Sequence, residues 1–353
     1  MKINNSNKIF ILAGESSGDY IGSCVMKGIK QHNKKIKFFG VGGNFMEIEG
    51  INSLYNIQDF NVIGFLNTII KLKKLKNYTN EIVATIMREK PKIVITIDTK
   101  GFSLALAKAL KIAFKSSNFK CPLIHFVPPT IWAYGKSRIK KWKNLHEELI
   151  CLYKIEEDIF KKYDVKCIYL GNPIIEKYLN FEQLKKNKKT EIYPKKNINC
   201  LLLPGSRYSE IKYVLPEFVK LIKNTNNKIK NINWIIPTTK SQYSNVSAVI
   251  NKIKSYPIKV IILEDNYEVF KNASIAIACS GTVTLELVLF KIPTIAVYKT
   301  DFISAIIGKM LVNFENVILP NFLLKETVVP FLFQEKCNYI QMQKFLIHFI
   351  KNI

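Results

Sequence analysis

The run Lys92-Ile93-Val94-Ile95-Thr96-Ile97 is almost continuously apolar. An extended segment points successive side chains to opposite faces, so this one needs apolar cover on both. That requirement points to a parallel sheet packed between two layers of helices. Comparable short runs recur at Lys8–Ala13, Lys37–Val41, Leu123–Val127, Cys200–Leu203, Ile232–Pro237, Ile258–Leu263, Ser274–Ile277 and Pro293–Tyr298. Helical spacing follows several of them, as over Tyr20–Lys30 and from Ser209 onward. Strand, turn and helix in alternation predict an α/β chain built on doubly wound parallel sheets.

The alternation runs twice. The first series ends at Gly171-Asn172-Pro173, and residues 180–197 are rich in Lys, Asn and Gln with little apolar period. A chain of 353 residues is long enough for two cores. We therefore predict an N-terminal domain over 1–175, a linker over 176–197 and a C-terminal domain over 198–353. Both are expected to be Rossmann-like and to face a central cleft.

Such sheets bind ligands beyond the carboxyl ends of their strands. In the first half that edge should carry the turn Gly14, Glu15, Ser16, Ser17, Gly18, Asp19. Its glycines are spaced unlike a dinucleotide fingerprint. Asp98 ends the central run, either as a carboxylate at the mouth of the cleft or as the cap of the helix beginning near Phe102. Position alone favours the cap. In the second half, Pro204-Gly205-Ser206-Arg207 and Ser280-Gly281-Thr282 offer backbone N–H donors, two serine hydroxyls and a guanidinium suited to a diphosphate. Glu286 lies about one helical turn inside, where a carboxylate accepts two ribose hydroxyls. Alone, the Ser280–Glu286 stretch reads more simply as a capped helix. All of it together suits transfer from a nucleotide-diphosphate donor, with the acceptor and a base held by the first half.

Phe60–Tyr78 combines helical apolar spacing with four lysines within six residues. A helix of this kind lies in an anionic membrane surface, or packs on a core with a solvated lysine face. Lys and Arg number 53 against 27 Asp and Glu, a net charge of +26, which favours polyanionic partners without choosing among them. The seven cysteines are scattered and fit a reducing cytoplasm better than a disulfide framework. The four histidines have no metal-ligand spacing. No signal peptide and no run approaching a membrane span is expected.

Taken in order, several stretches resemble lipid-A-disaccharide synthase, a two-Rossmann-domain (GT-B) glycosyltransferase family. They are Ala13–Asp19, Gly40-Val41-Gly42-Gly43, Val62-Ile63-Gly64-Phe65, Ile97-Asp98, Trp132-Ala133, Leu203–Arg207, Ser280–Glu286 and Leu319-Pro320-Asn321. The resemblance covers nearly the whole chain. It implies transfer from UDP-2,3-diacylglucosamine to 2,3-diacylglucosamine 1-phosphate, giving a β-1,6-linked disaccharide 1-phosphate plus UDP. The expected reaction inverts the anomeric centre and uses no metal or cofactor. Residue by residue, Asp98 matches the general base. Gly205, Ser206, Arg207, Ser280, Gly281, Thr282, Glu286 and Asn321 match the UDP site. Gly14, Glu15, Ser16, Ser17, Gly18 and Asp19 fall on the acceptor side. The resemblance also favours the membrane reading of the amphipathic stretch, with Val62, Phe65, Leu66, Ile69, Ile70, Lys71, Lys73 and Lys74 as contacts. It implies a peripheral protein on the cytoplasmic face of the inner membrane of a Gram-negative bacterium, without nucleic acid as partner and with room for a homodimer.

Some positions depart from the pattern. The family usually has Asp-Ala-Pro-Asp-Phe-Asn where this chain has Asp98-Thr99-Lys100-Gly101-Phe102-Ser103, and a family histidine is Asn172 here. A C-terminal helix that packs back on the first domain is expected to be shortened. The alternatives are another UDP-N-acetylglucosamine enzyme of the same fold, a 2-epimerase included, and a degenerate, non-catalytic membrane-surface protein. Retention of Asp98, Arg207, Glu286 and Asn321 argues against the last.

Overall fold

The computed structural model describes residues 6–60, 65–130, 136–176, 178–179, 197–226, 228–229, 231–263, 267–311 and 317–352, with backbone alone over 65–72. It divides into two compact units, Met1–Pro173 and Ile174–Ile353. Residues 180–196 of the predicted linker lie outside the described residues.

The first unit holds strands β1 (Lys8–Ala13), β2 (Lys37–Val41), β3 (Asn52–Ser53), β4 (Ile93–Ile97), β5 (Leu123–Phe126), β6 (Glu148–Cys151) and β7 (Cys167–Tyr169). They form one seven-stranded sheet in the order β3-β2-β1-β4-β5-β6-β7, and every pairing is parallel. Its helices are α1 (Ser16–His32), α2 (Asn44–Ile48), α3 (Phe65–Glu89), α4 (Lys100–Lys115) and α5 (Lys154–Lys161). The central strands β1 and β4 are mostly apolar because each face meets its own core. Phe10 and Leu12 of β1 join Val94, Phe102 and Leu106 on one face, while Ile9, Ile11 and Ala13 join Ile95, Ile97 and Met26 on the other. Each such fully buried side chain stabilises by about 1.5–3 kcal/mol before chain entropy is subtracted.

The second unit holds β8 (Ile198–Leu203), β9 (Ile232–Thr238), β10 (Ile258–Ile262), β11 (Ile275–Cys279), β12 (Thr294–Tyr298) and β13 (Phe331–Phe333). They form a six-stranded parallel sheet in the order β10-β9-β8-β11-β12-β13. Its helices are α6 (Tyr208–Asn226), α7 (Tyr243–Ile250), α8 (Thr282–Leu289), α9 (Phe302–Leu311), α10 (Leu319–Leu324) and α11 (Tyr339–Lys351). The α/β class and the doubly wound parallel sheets expected from the sequence are those observed. The terminal helix packs within the second unit. Met342 and Leu346 of α11 are fully buried in the second unit's own core, and Gln343 Nε2 donates to Thr225 Oγ1 of α6 at 3.0 Å. Apolar spacing on α11 is thus matched by the core of its own unit and by α6.

The Phe60–Tyr78 stretch is partly core. Phe60 is buried against Phe102 and stacks on Tyr78, and Leu75 packs on the same cluster. Lys74 pairs with Asp59 at 2.9 Å, and Lys73 is exposed. Helix α3 runs on to Glu89, beyond the expected end at Tyr78. Val62 and the side chains of Phe65, Leu66, Ile69, Ile70 and Lys71 lie outside the described residues, as do Trp132, Ala133 and Tyr134. Among the described residues, no helix is long and apolar enough to cross a membrane.

A buried aromatic knot closes the far side of the first sheet. The ring of His125 on β5 lies 4.5 Å from that of Trp142 and 5.4 Å from that of His146, and His125 Nδ1 meets Thr96 Oγ1 at 2.8 Å. Burial drives His125 well below the ordinary histidine range and His146 down to about 4. The unfolded chain therefore takes up a proton at His146 as pH falls through 6.5, whereas the folded chain resists until about 4. This contribution is intact above 6.5 and is lost progressively toward 4. Burial raises Asp19 and Glu156 and works in the opposite sense, so the effect must be read as a difference between proteins. We predict that the stability of wild type relative to His146→Gln falls by about 2 kcal/mol between pH 7 and pH 5. Urea denaturation at the two pH values measures it, and a pH-independent difference refutes the assignment.

Candidate active site

Each sheet changes winding direction once, and the sequence motifs sit at those two points. In the first unit the chain winds outward from β1 through β2 to β3, then returns to β4 on the other side of β1. The loops leaving β1 and β4 diverge there and leave room for a ligand. Ala13 pairs with Ile97 in register, so Gly14 and Asp98 are the next residues on adjoining strands. The second unit repeats the arrangement between β8 and β11, where Leu203 pairs with Ala278 ahead of the Gly205 and Ser280 turns.

At the first of these edges the backbone is strained. Asp98, Thr99 and Val127 have φ of 52°, 45° and 62°, a left-handed conformation that is costly for non-glycine residues and most so for valine. Helix α4 starts at Lys100 with Thr99 at its N-cap, and no side chain caps it. Asp98 therefore stands one residue outside the cap position. Its N–H donates to Phe126 O at 3.0 Å and its carbonyl accepts Ser103 Oγ at 2.9 Å. Its side chain is largely covered, and Oδ1 pairs with Lys100 Nζ at 3.1 Å.

The Gly14–Asp19 turn divides into packing residues and surface residues. A Cβ at Gly14 would lie 2.2 Å from Thr99 Oγ1 and 2.9 Å from Phe60 Cβ, so only glycine lets this turn approach the β4 loop. Gly18 is buried against Ala13 and Ile97. Asp19, expected on the acceptor side, is buried and bonded to backbone amides. Its buried carboxylate accepts the N–H groups of Gly43, Phe45 and Met46 at 2.8, 3.0 and 3.1 Å, capping α2 and fixing the Gly42-Gly43 loop. Ser16 is exposed and Glu15 and Ser17 are half-buried at the start of α1, where an acceptor can reach them.

Two further residues belong to this edge, Glu156, which was not singled out from the sequence, and Asn172, which was noted there as a departure from the family pattern. Glu156 on α5 is buried and accepts Leu152 N–H and Tyr153 N–H at 2.8 and 3.1 Å. Burial raises it to about 7, against the pull of these two bonds and of Lys100. Asn172, at the family's histidine position, donates Nδ2–H to Tyr153 Oη at 2.6 Å.

In the second unit a buried carboxylate organises the β8 turn. Glu210 Oε2 accepts the N–H groups of Ser206 and Arg207 at 3.1 and 3.3 Å, while Oε1 accepts Arg207 Nη1 at 2.7 Å. Arg207 is thus held by its own turn, with its side chain 24% exposed. The sequence reading offered the 206 and 207 amides to a diphosphate, but here they serve Glu210. The available signal was a glutamate at the third residue of a helix, the reach-back position of a capping box.

The β11 turn is different. Ser280 N–H donates to Val297 O at 2.8 Å, Gly281 is the N-cap of α8, and no side chain caps the first turn. A Cβ on Gly281 would meet nothing within 4 Å, so the space beside it is open. Amides and dipole at such a helix start attract an anion. Glu286 is half-buried farther along α8. Asn321, expected at the nucleotide site, commits its carboxamide to its own loop. Nδ2 donates to Val329 O at 2.8 Å, and Oδ1 accepts Val328 N–H and Val329 N–H at 3.1 and 2.8 Å. Among the described residues, no group of three His, Cys, Asp or Glu side chains is arranged to hold a metal ion.

A family model described as lipid-A-disaccharide synthetase matches residues 9–352. A lipid-A-disaccharide synthase of Gluconobacter oxydans is 31% identical over 329 residues, covering 93% of this chain and 78% of that one. One from Rickettsia prowazekii is 31% identical over 333 residues, covering 94% and 85%. Among solved structures, a UDP-GlcNAc 2-epimerase of Methanocaldococcus jannaschii, in complex with UDP-GlcNAc and UDP, aligns with a TM-score of 0.61. It is 16% identical and covers 97% of this chain and 92% of that one, a likeness of fold alone.

The Glu210 lock generates a test. Gly205 has φ of 109°, and a Cβ there would lie 2.4 Å from Glu210 Oε2. Gly205→Ala should therefore cost about 2–4 kcal/mol, combining backbone strain with a displaced buried carboxylate. The midpoint of chemical denaturation measures the cost, and a loss below about 0.5 kcal/mol would mean the turn is not locked.

Proposed function

The chain belongs to the lipid-A-disaccharide synthase family and is a glycosyltransferase of lipid A synthesis, and from that premise we propose how its residues divide the reaction. The first unit takes the acceptor, 2,3-diacylglucosamine 1-phosphate, and the second takes the donor, UDP-2,3-diacylglucosamine. The observation that carries the assignment is the match across residues 9–352, with the motif turns lying at the winding reversals of both sheets.

Asp98 acts as general base. Its carboxylate takes the proton of the acceptor's 6-hydroxyl as that oxygen attacks C1 of the donor sugar. The new C1–O bond forms as the bond from C1 to the diphosphate oxygen breaks, and attack from the opposite face inverts the centre. UDP leaves with the electron pair. Arg207, steadied by Glu210, and the amides at the start of α8 stabilise the charge that develops on the diphosphate. A positioned base supplies about 10²–10⁴-fold, and preorganised donors at the leaving group supply a comparable factor. Glu286 accepts the ribose hydroxyls. Asn321 contributes by shaping the 325–329 loop. No step requires a metal.

Fold likeness to 2-epimerases does not favour that alternative, because at 16% identity it reports the chain path and not the chemistry. Acylated substrates favour work at a membrane surface, and we assign the anionic cytoplasmic face, with the Val62–Lys74 stretch as the contact. The net charge of +26 supports attraction to anionic lipid.

Incubating the purified protein with both substrates and following disaccharide and UDP tests the reaction. Folded protein that binds UDP yet forms no product would sink the proposal. Asp98→Asn should retain UDP binding and lose turnover by at least about 10²-fold in a steady-state assay. Unchanged turnover removes Asp98 as base. Replacing Phe65, Leu66, Ile69 and Ile70 together with Ser should weaken sedimentation with anionic vesicles at least about tenfold. Equal sedimentation assigns those side chains to the core.

A further inference from the structure

Lys100 stands where the family pattern has proline, one residue before the lost second carboxylate at Gly101. The structure puts its ammonium on the candidate base. Lys100 Nζ lies 3.1 Å from Asp98 Oδ1, with the lysine side chain 32% exposed and the aspartate side chain 16% exposed. Among the described residues, this cation is the charged partner of the Asp98 carboxylate. Two other titratable groups feel the same charge, Glu156 from α5 and His125 from β5, so Lys100 is placed among the ionisable side chains of this sheet edge.

A general base must be held within about 0.5 Å and 10–20° of its productive position. The Asp98 backbone is fixed by Phe126 O and Ser103 Oγ, but those bonds leave the side-chain torsions free. Lys100 supplies the missing restraint. It is the first residue of α4, so its own backbone is helical, and its ammonium binds one carboxylate oxygen. Oδ2 is left to receive a proton.

We propose that Lys100 is the positioning residue for Asp98, aiming the free carboxylate oxygen at the acceptor hydroxyl. This rests on the reading of Asp98 as base. Lysine here takes over an orienting task within a motif that has lost its second carboxylate.

The test is a double-mutant cycle with Lys100→Met, Lys100→Arg and Asp98→Asn in the full chain, each checked for an unchanged thermal midpoint. Lys100→Met should lower kcat about tenfold, with the acceptor KM and UDP affinity within about twofold. Lys100→Arg should recover most of the loss, because a guanidinium also binds a single carboxylate oxygen. In the Asp98→Asn background, Lys100→Met should have no further effect, since the residue acts through Asp98. Equal losses in both backgrounds overturn the proposal, as does an unchanged kcat. A raised acceptor KM at constant kcat also overturns it and makes Lys100 a phosphate contact instead. Full turnover in Asp98→Asn removes the base itself, a failure distinct from wild-type behaviour of Lys100→Met beside a dead Asp98→Asn.

Discussion

The structure depends on strands that are apolar on both faces. In β1, β4, β8 and β11 most side chains are buried in apolar clusters, with Thr96 of β4 and Asn199 of β8 as polar positions inside the runs. Room for a ligand is then left mainly where strands end. The winding order sends the loops after β1 and β4, and after β8 and β11, in opposite directions. Two sites of divergence follow from one packing requirement, and the chain's candidate chemistry lies at those sites.

Buried carboxylates hold these edges in shape. Asp19 gathers three amides of the β2 loop, Glu156 two amides after β6, and Glu210 two amides after β8 together with Arg207. A charge-assisted bond of this kind contributes about 1.5–3 kcal/mol, and leaving the carboxylate without its donors costs at least as much. In a chain with 27 acidic residues against 53 basic ones, acids in such positions have a defined structural use. Asp98 differs from the three, because its carboxylate meets a side-chain cation and not a set of amides.

The fold was legible because a continuous apolar run at strand length leaves few alternatives to a parallel sheet. Asp98, Gly14 and the Ser280 turn were legible as well, since strand ends can be located from hydropathy alone. The partners of Asp19 and Asn321 were not. Asp19 bonds to Gly43, Phe45 and Met46, more than twenty residues on, and Asn321 ties Val328 and Val329, backbone partners that neither hydropathy nor family position displays. Glu210 was visible as a third-residue glutamate, but its grip on Arg207 depends on a left-handed Gly205 that a sequence does not display. Lys100 read as a departure from a pattern. Its meaning comes from a 3.1 Å contact.

The two sheet edges also differ in how they hold unusual backbone. At the second edge the left-handed position is Gly205, for which that conformation carries no steric penalty. At the first edge it falls on Asp98, Thr99 and Val127, each costing about 1 kcal/mol or more. Binding a diphosphate needs donors at fixed places, which a glycine turn and a capped arginine provide without strain. Left-handed non-glycine residues also occur away from both turns, at Lys90, Asn144, Asp164, Asn231, Lys291, Lys325 and Gln334, so the contrast between the two edges lies in how each turn is built: three such residues around Asp98, one glycine beside Arg207.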